Sequence, residues 1–278
     1  MNQSRTTGAR SKALKPKSPH RARKRFGQNF LVDHNIIDKI VAAIAPAPKQ
    51  NLIEIGPGQG AITEPILAKC PQLNVVELDR DLIPLLEQKF QAYPEFHIHQ
   101  GDALKTDFSQ FYQTEQPLRI IGNLPYNIST PLLFHLLNFS DLIRDMYFML
   151  QKEVVDRMAA GPGDKNYGRL SVMIQYRCQV QPLFRVPPTA FQPAPKVESA
   201  IVQLIPYAKP PFPADDLQLL SRLVRASFQQ RRKTMRNTLK HMLNAEQLEL
   251  LDLDLTLRPE NLNVEDFVKL SNQIGTLL

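Results

Sequence analysis

The sequence predicts an α/β protein, a largely parallel sheet with helices on both faces, followed by a small all-helical domain. Three observations lead there. Strand and helix patterns alternate between residues 51 and 151, as they do when each strand is followed by a crossover helix. A compositional break at Pro206, Pro210, Pro211 and Pro213 ends the β-rich part. Beyond it the apolar spacing is helical to the end of the chain.

Taken in order, residues 1–22, rich in Lys and Ser with Pro16 and Pro19, read as a disordered basic tail. Asp33 then caps a helix whose Ile36, Ile37, Ile40, Val41 and Ile44 fall at helical spacing, and Pro46 and Pro48 end it. Buried strands are expected over 51–55, 73–78, 96–100, 118–122 and 145–151, with helices over 61–69, 81–90 and 130–138 between them. Segments 179–186 and 197–206 are β-rich and predict two closing strands at the sheet edge. Helices follow over 217–229, 233–243, 245–251 and 264–274. The chain thus divides into the tail (1–22), an α/β domain (23–205) and a helical domain (206–278).

With 278 residues, 43% of them hydrophobic, the chain can bury one large core and a smaller one. No apolar run is long enough to cross a bilayer, and the basic start lacks the apolar block of a secretory signal. Cys70 and Cys178 are too few and too far apart for a disulfide framework or a zinc site, which suits a reducing, cytoplasmic setting. Net charge is +7, and its distribution says more than its sum. No carboxylate occurs over 1–32 or over 217–245, while the second stretch gathers Arg222, Arg225, Arg231, Arg232, Lys233, Arg236 and Lys240. A solvated helix face normally mixes signs, so two long single-sign stretches point to a polyanion. Arg231, Arg232, Lys233 and Arg236 are the expected phosphate contacts.

The expected strand 51–55 runs into Glu54-Ile55-Gly56-Pro57-Gly58-Gln59-Gly60-Ala61. Gly56 and Gly58 permit a sharp turn with close ligand approach, and the next helix offers its amides. Glu77 lies where a carboxylate accepts the ribose hydroxyls of a nucleotide. This much fits a nicotinamide dinucleotide as well as S-adenosylmethionine. Two later strand ends separate them. Asp102 follows the third strand, placed to accept from an adenine amine, although an Asp there also caps turns. Gly122-Asn123-Leu124-Pro125-Tyr126 follows the fourth. Asn123 offers an amide oxygen, the peptide before proline fixes the Leu124 carbonyl in an extended direction, and Tyr126 supplies a flat face. Such a set suits methylation of an exocyclic amine. Two acceptors draw its N–H groups and free the delocalised lone pair, and no strong base is needed because the methylated ammonium is acidic. On this reading the face of Tyr126 matters and its hydroxyl does not.

These residues resemble the ribosomal RNA adenine N6-dimethyltransferase family, and within it the bacterial small-subunit branch associated with kasugamycin sensitivity. Lys24-Arg25-Phe26-Gly27-Gln28-Asn29-Phe30-Leu31 resembles its N-terminal motif, which implies that Asn29 and Leu31 touch the cofactor. Gly56, Gly58, Glu77, Asp102 and Asn123 match its other cofactor positions. Phe191-Gln192-Pro193-Ala194-Pro195-Lys196-Val197-Glu198-Ser199 resembles the segment whose aromatic sandwiches the target adenine opposite Tyr126. Segments 228–237 and 258–262 resemble motifs of the helical domain, and the loop 161–169 reads equally as turn chemistry or as an RNA contact. The resemblance implies a Rossmann-like S-adenosylmethionine-dependent fold. It also implies two adjacent target adenines near the 3′ end of small-subunit ribosomal RNA, a pre-ribosomal particle as partner, no membrane, and a monomer. Two rivals share the fold: a large-subunit adenine methyltransferase and a non-catalytic nucleic-acid-binding factor.

Overall fold

The computed structural model describes residues 29–230 and 232–278. The expected tail, the rest of the N-terminal motif up to Gln28, and Arg231 lie outside the described residues. The elements run β1 (Phe30–Leu31), α1 (His34–Ile44), β2 (Leu52–Ile55), α2 (Thr63–Leu67), β3 (Leu73–Glu77), α3 (Ile83–Lys89) and β4 (Phe96–Gln100). Next come β5 (Leu118–Asn123), α4 (Ser129–Leu136), β6 (Ile143–Gln151), α5 (Lys152–Ala159), α6 (Arg169–Arg177), β7 (Cys178–Val186), β8 (Phe191–Gln192) and β9 (Ser199–Pro206). The helical end holds α7 (Leu217–Gln229), α8 (Met235–Leu239), α9 (Ala245–Glu249) and α10 (Val264–Leu277).

The seven-stranded sheet has the order β4-β3-β2-β5-β6-β9-β7. Its first five strands are parallel, and β9 runs antiparallel between β6 and β7. From β2 the chain winds outward through β3 and β4, then returns to the other side of β2 for β5 and β6. That reversal opens a crevice beyond the carboxyl ends of β2 and β5. Alternate residues feed the two faces: Ile53, Ile55 and Ile120 enter one core, Leu52, Val75 and Ile121 the other.

The first helix starts and stops as its sequence requires. Asp33 accepts from the Asn35 and Ile36 amides, at 2.9 and 3.3 Å. At its end Ala45 turns left-handed, and the Arg119 guanidinium takes up the Ile44 carbonyl at 2.7 Å. Helix α8 is shorter than the expected 233–243. The amides of Met235 and Arg236 donate to the carbonyls of Leu257 and Leu255, which pins its start, so Lys233 sits in the preceding turn.

Two helices, α5 and α6, have no counterpart in the sequence reading. Leu170 and Ile174 of α6 face the sheet core, whereas its Val172 and Tyr176 enter a third core with Leu220, Leu223, Met235, Phe267 and Ile274. The helical domain therefore closes over α6, and the proline-rich segment runs beside that shared core instead of separating two independent ones.

Candidate active site

The registers bring the carboxyl ends of four strands level. Ile55 pairs with Val76 and Gly122, Glu77 with Gln100, and Asn123 with Met149. The glycine loop, Glu77, Asp102 and Asn123 thus emerge side by side around one cavity of about 280 Å³. Gly56, Gly58 and Gly60 all take left-handed φ, from +59° to +79°, which lets the loop double back over the crevice. Gly122 is required for a different reason: a Cβ there would lie 2.6 Å from the Ile55 carbonyl oxygen, so the two strands could not approach.

Every candidate catalytic and cofactor residue lines this cavity: Asn29, Leu31, Gly56, Gly58, Glu77, Asp102, Asn123, Leu124, Tyr126 and Phe191. The short pairing of β1 with β8 sets Leu31 opposite Phe191. The Asn123 amide nitrogen donates to the Asn29 carbonyl at 3.2 Å, which turns its oxygen the other way. Leu124 is anchored by its own amide, which donates to the Met149 carbonyl at 3.2 Å. One Asp102 oxygen accepts from the Leu104 amide at 3.0 Å, the turn cap that an Asp commonly makes, and this bond fixes the carboxylate at the cavity wall.

The sequence reading gave no role to two features. Glu54 is only 2% exposed, receives the Thr63 hydroxyl at 2.6 Å, and lines the same cavity. Burial raises its carboxyl to about 7, and neighbouring Glu77 adds to the effect against the Thr63 bond. Burial also pushes Glu77 upward, opposed by amide donors from Asp79 and Gly58. Its signal was present in the motif, since Glu54 opens the glycine-loop run, but only the fold shows that strand β2 turns it inward. The second is the Tyr126 hydroxyl, expected to be idle, which bonds the Ser199 hydroxyl at 2.9 Å.

No basic side chain is found among the described residues lining the cavity, whereas Glu54, Glu77, Asp79 and Asp102 all line it. An anionic pyrophosphate would be repelled there. A cationic sulfonium nucleoside is matched in charge by these carboxylates.

Of the expected phosphate contacts, Arg232, Lys233 and Arg236 do not line this cavity. Arg222 and Arg225 are exposed on α7, and Arg232 and Lys233 are exposed in the turn that follows. Arg236 is a partial correction to the acid-free reading, because α9 delivers Glu249 to it at 2.8 Å. Both partners are substantially exposed, so a phosphate could displace the carboxylate at small cost. The loop 161–168 is docked on the helical domain: Gly163 donates to the Glu260 carbonyl at 2.7 Å, and Tyr167 meets Phe228 edge-on.

A switch-point cavity of this kind, rich in carboxylates and bordered by Asn-Leu-Pro-Tyr, defines a Rossmann-like S-adenosylmethionine-dependent methyltransferase. Comparison with known proteins narrows the class. The family model for ribosomal RNA adenine dimethylase matches residues 19–275, and the chain belongs to that family. It is 60% identical to the ribosomal RNA small subunit methyltransferase A of Saccharophagus degradans, over 95% of this chain and 99% of that one. Identity to the protein of the same name from Pseudomonas aeruginosa is 58%, over 93% and 96%. Among solved structures, a dimethyladenosine transferase from Plasmodium falciparum superposes with a TM-score of 0.73 at 28% identity, covering 88% of this chain and 98% of that one. The 23S rRNA methyltransferase ErmE shares the fold, with a TM-score of 0.68 at 22% identity over 89% and 100%.

Proposed function

We propose that this chain, an S-adenosylmethionine-dependent ribosomal RNA adenine dimethyltransferase, modifies N6 of two adjacent adenines near the 3′ end of small-subunit ribosomal RNA. It works as a cytoplasmic monomer on a pre-ribosomal particle. The observation that carries the site assignment is Asn123 at the end of β5, its amide nitrogen held by Asn29 and its oxygen left to face the cavity. Glu77, Asp102, the glycine loop, Asn29 and Leu31 hold the cofactor, which supplies an electrophilic methyl group on a sulfonium sulfur.

An adenine reaches such a cavity only when swung out of its stack, and Tyr126 and Phe191 receive its faces. Asn123 and the Leu124 carbonyl accept its two N–H groups and draw the nitrogen toward tetrahedral geometry. The amine proton leaves to solvent after transfer, so positioning and electrostatic complementarity supply the rate without a general base. Arg231, Arg232, Lys233 and Arg236, with Arg222 and Arg225, hold the RNA backbone from the helical domain (206–278), and the α/β domain (23–205) carries the chemistry.

The test is incubation of undermethylated small subunits with labelled S-adenosylmethionine, followed by mapping of the label. Dimethyladenine at two neighbouring positions is expected. Label in large-subunit RNA would assign the rival activity. Asn123→Ala should lower turnover by about 10²–10³, as for loss of a transition-state acceptor, with a much smaller effect on cofactor affinity. A wild-type rate in that variant would place the acceptor elsewhere.

A further inference from the structure

Tyr126 is held at both ends. Its backbone carbonyl accepts the Ser129 hydroxyl at 3.1 Å, and its phenol oxygen pairs with the Ser199 hydroxyl at 2.9 Å. Ser199 is itself fully buried and has little freedom, since β9 pairs it with Gln151 of β6 on one side and Val186 of β7 on the other. The neighbouring Glu198 carbonyl also accepts from the Lys152 amide at 2.9 Å. A residue stapled into the sheet on both flanks therefore fixes the far end of a side chain that lines the cavity.

We propose that Ser199 is a positioning residue for methyl transfer. Its hydroxyl sets the direction of the Tyr126 ring, and so the plane in which the target adenine stacks. The inference rests on the reading of Tyr126 as the stacking face. A ring anchored only at Cβ swings about χ1 and χ2. Anchoring the phenol oxygen removes the swing and leaves the plane preorganised before the base arrives. The same plane must serve twice, because the monomethylated base returns to it with a bulkier nitrogen. This explains a tyrosine where a phenylalanine would offer the same face. Phenylalanine would in addition leave the Ser199 hydroxyl buried without its partner.

The experiment compares Ser199→Ala, Tyr126→Phe, their double variant, Ser199→Thr and Tyr126→Ala in the full chain. The substrate is undermethylated small subunits, with kcat, RNA KM, S-adenosylmethionine Kd and melting temperature measured for each. Ser199→Ala and Tyr126→Phe should each lower kcat about tenfold, with the second methylation hit harder, while KM and Kd move less than about twofold. The double variant should be no slower than either single one, because both remove one bond. Ser199→Thr, which restores the hydroxyl, should recover most of the rate. If both single variants lose melting temperature yet turn over at the wild-type kcat, Ser199 is structural and the proposal fails, as it does if the losses simply add. Should Tyr126→Ala itself run at the wild-type rate, the stacking assignment falls instead.

Discussion

The two ends of the central sheet treat buried charge in opposite ways. At the amino ends of β5 and β6, Arg119 and Asp145 form an ion pair at 2.8 Å with side chains only 5% and 8% exposed. Every part of that guanidinium is used: it also reaches Asp145 a second time, Gln50, and the carbonyl that ends α1. At the carboxyl ends, Glu54 and Glu77 are buried beside each other, with no basic side chain among the described residues lining their cavity. The first arrangement is complete and serves as scaffold. The second gathers carboxylates without a cation, and that asymmetry is what supports the proposed sulfonium site.

The largest effect that tests this contrast is on stability. Arg119→Met should destabilise the protein by roughly 3–5 kcal/mol in urea denaturation, because buried Asp145 keeps only the exposed Arg144, at 3.9 Å, as a cationic partner. Cofactor affinity should stay within about twofold. Adding Asp145→Leu should restore much of the loss, whereas a large change in cofactor Kd would mean that the two ends are not separate.

Glu54 gives the next effect, and its sign is fixed by the direction of its shift. Its carboxyl stands at about 7 in the fold against 4.5 ordinarily, so folding favours the protonated form. Stability from this group is complete below pH 4.5 and is lost as pH rises toward 7, a swing on the order of 3 kcal/mol. Glu54→Gln should flatten that slope in the cofactor-free protein, measured by urea denaturation from pH 4.5 to 8. S-adenosylmethionine should flatten it more than the demethylated product, whose sulfur is uncharged.

Glu77→Ala should weaken S-adenosylmethionine binding by roughly 1.5–3 kcal/mol, the range for lost hydrogen bonds to a charged group. NAD should not bind; calorimetry giving NAD a comparable affinity would reject a site built for a cation. The smallest effect per residue lies in the helical domain. Charge reversal at Arg232 and Lys233 should reduce the salt dependence of RNA binding by about one unit of slope per lost contact. An unchanged slope would make them a solvated face.

The sheet and its site were legible because glycine turns, strand ends and Asn-Leu-Pro-Tyr are local signals. Strand register then did what the sequence could only anticipate, setting Gly56, Glu77, Asp102 and Asn123 around one opening. What stayed hidden depends on partners distant in the chain. Ser199 is seventy-three positions from the tyrosine it holds, and Glu249 neutralises Arg236 from another helix. Helix α6 was hidden for a subtler reason. Leu170, Val172, Ile174 and Tyr176 are all buried, an every-second-residue pattern that imitates a strand. It arises because opposite sides of the helix enter two different cores.

That double-sided helix also bears on modularity. The prolines after β9 look like a natural place to divide the molecule, and a chain severed there would keep the whole cofactor cavity. It would also strip the cover from Tyr167 in the preceding loop and from Val172 and Tyr176, leaving apolar side chains in water along the very helix that braces the sheet. Transplanting the catalytic half onto another RNA-binding module therefore requires either that α6 travel with its native helical cap or that its outer side be redesigned as a polar surface.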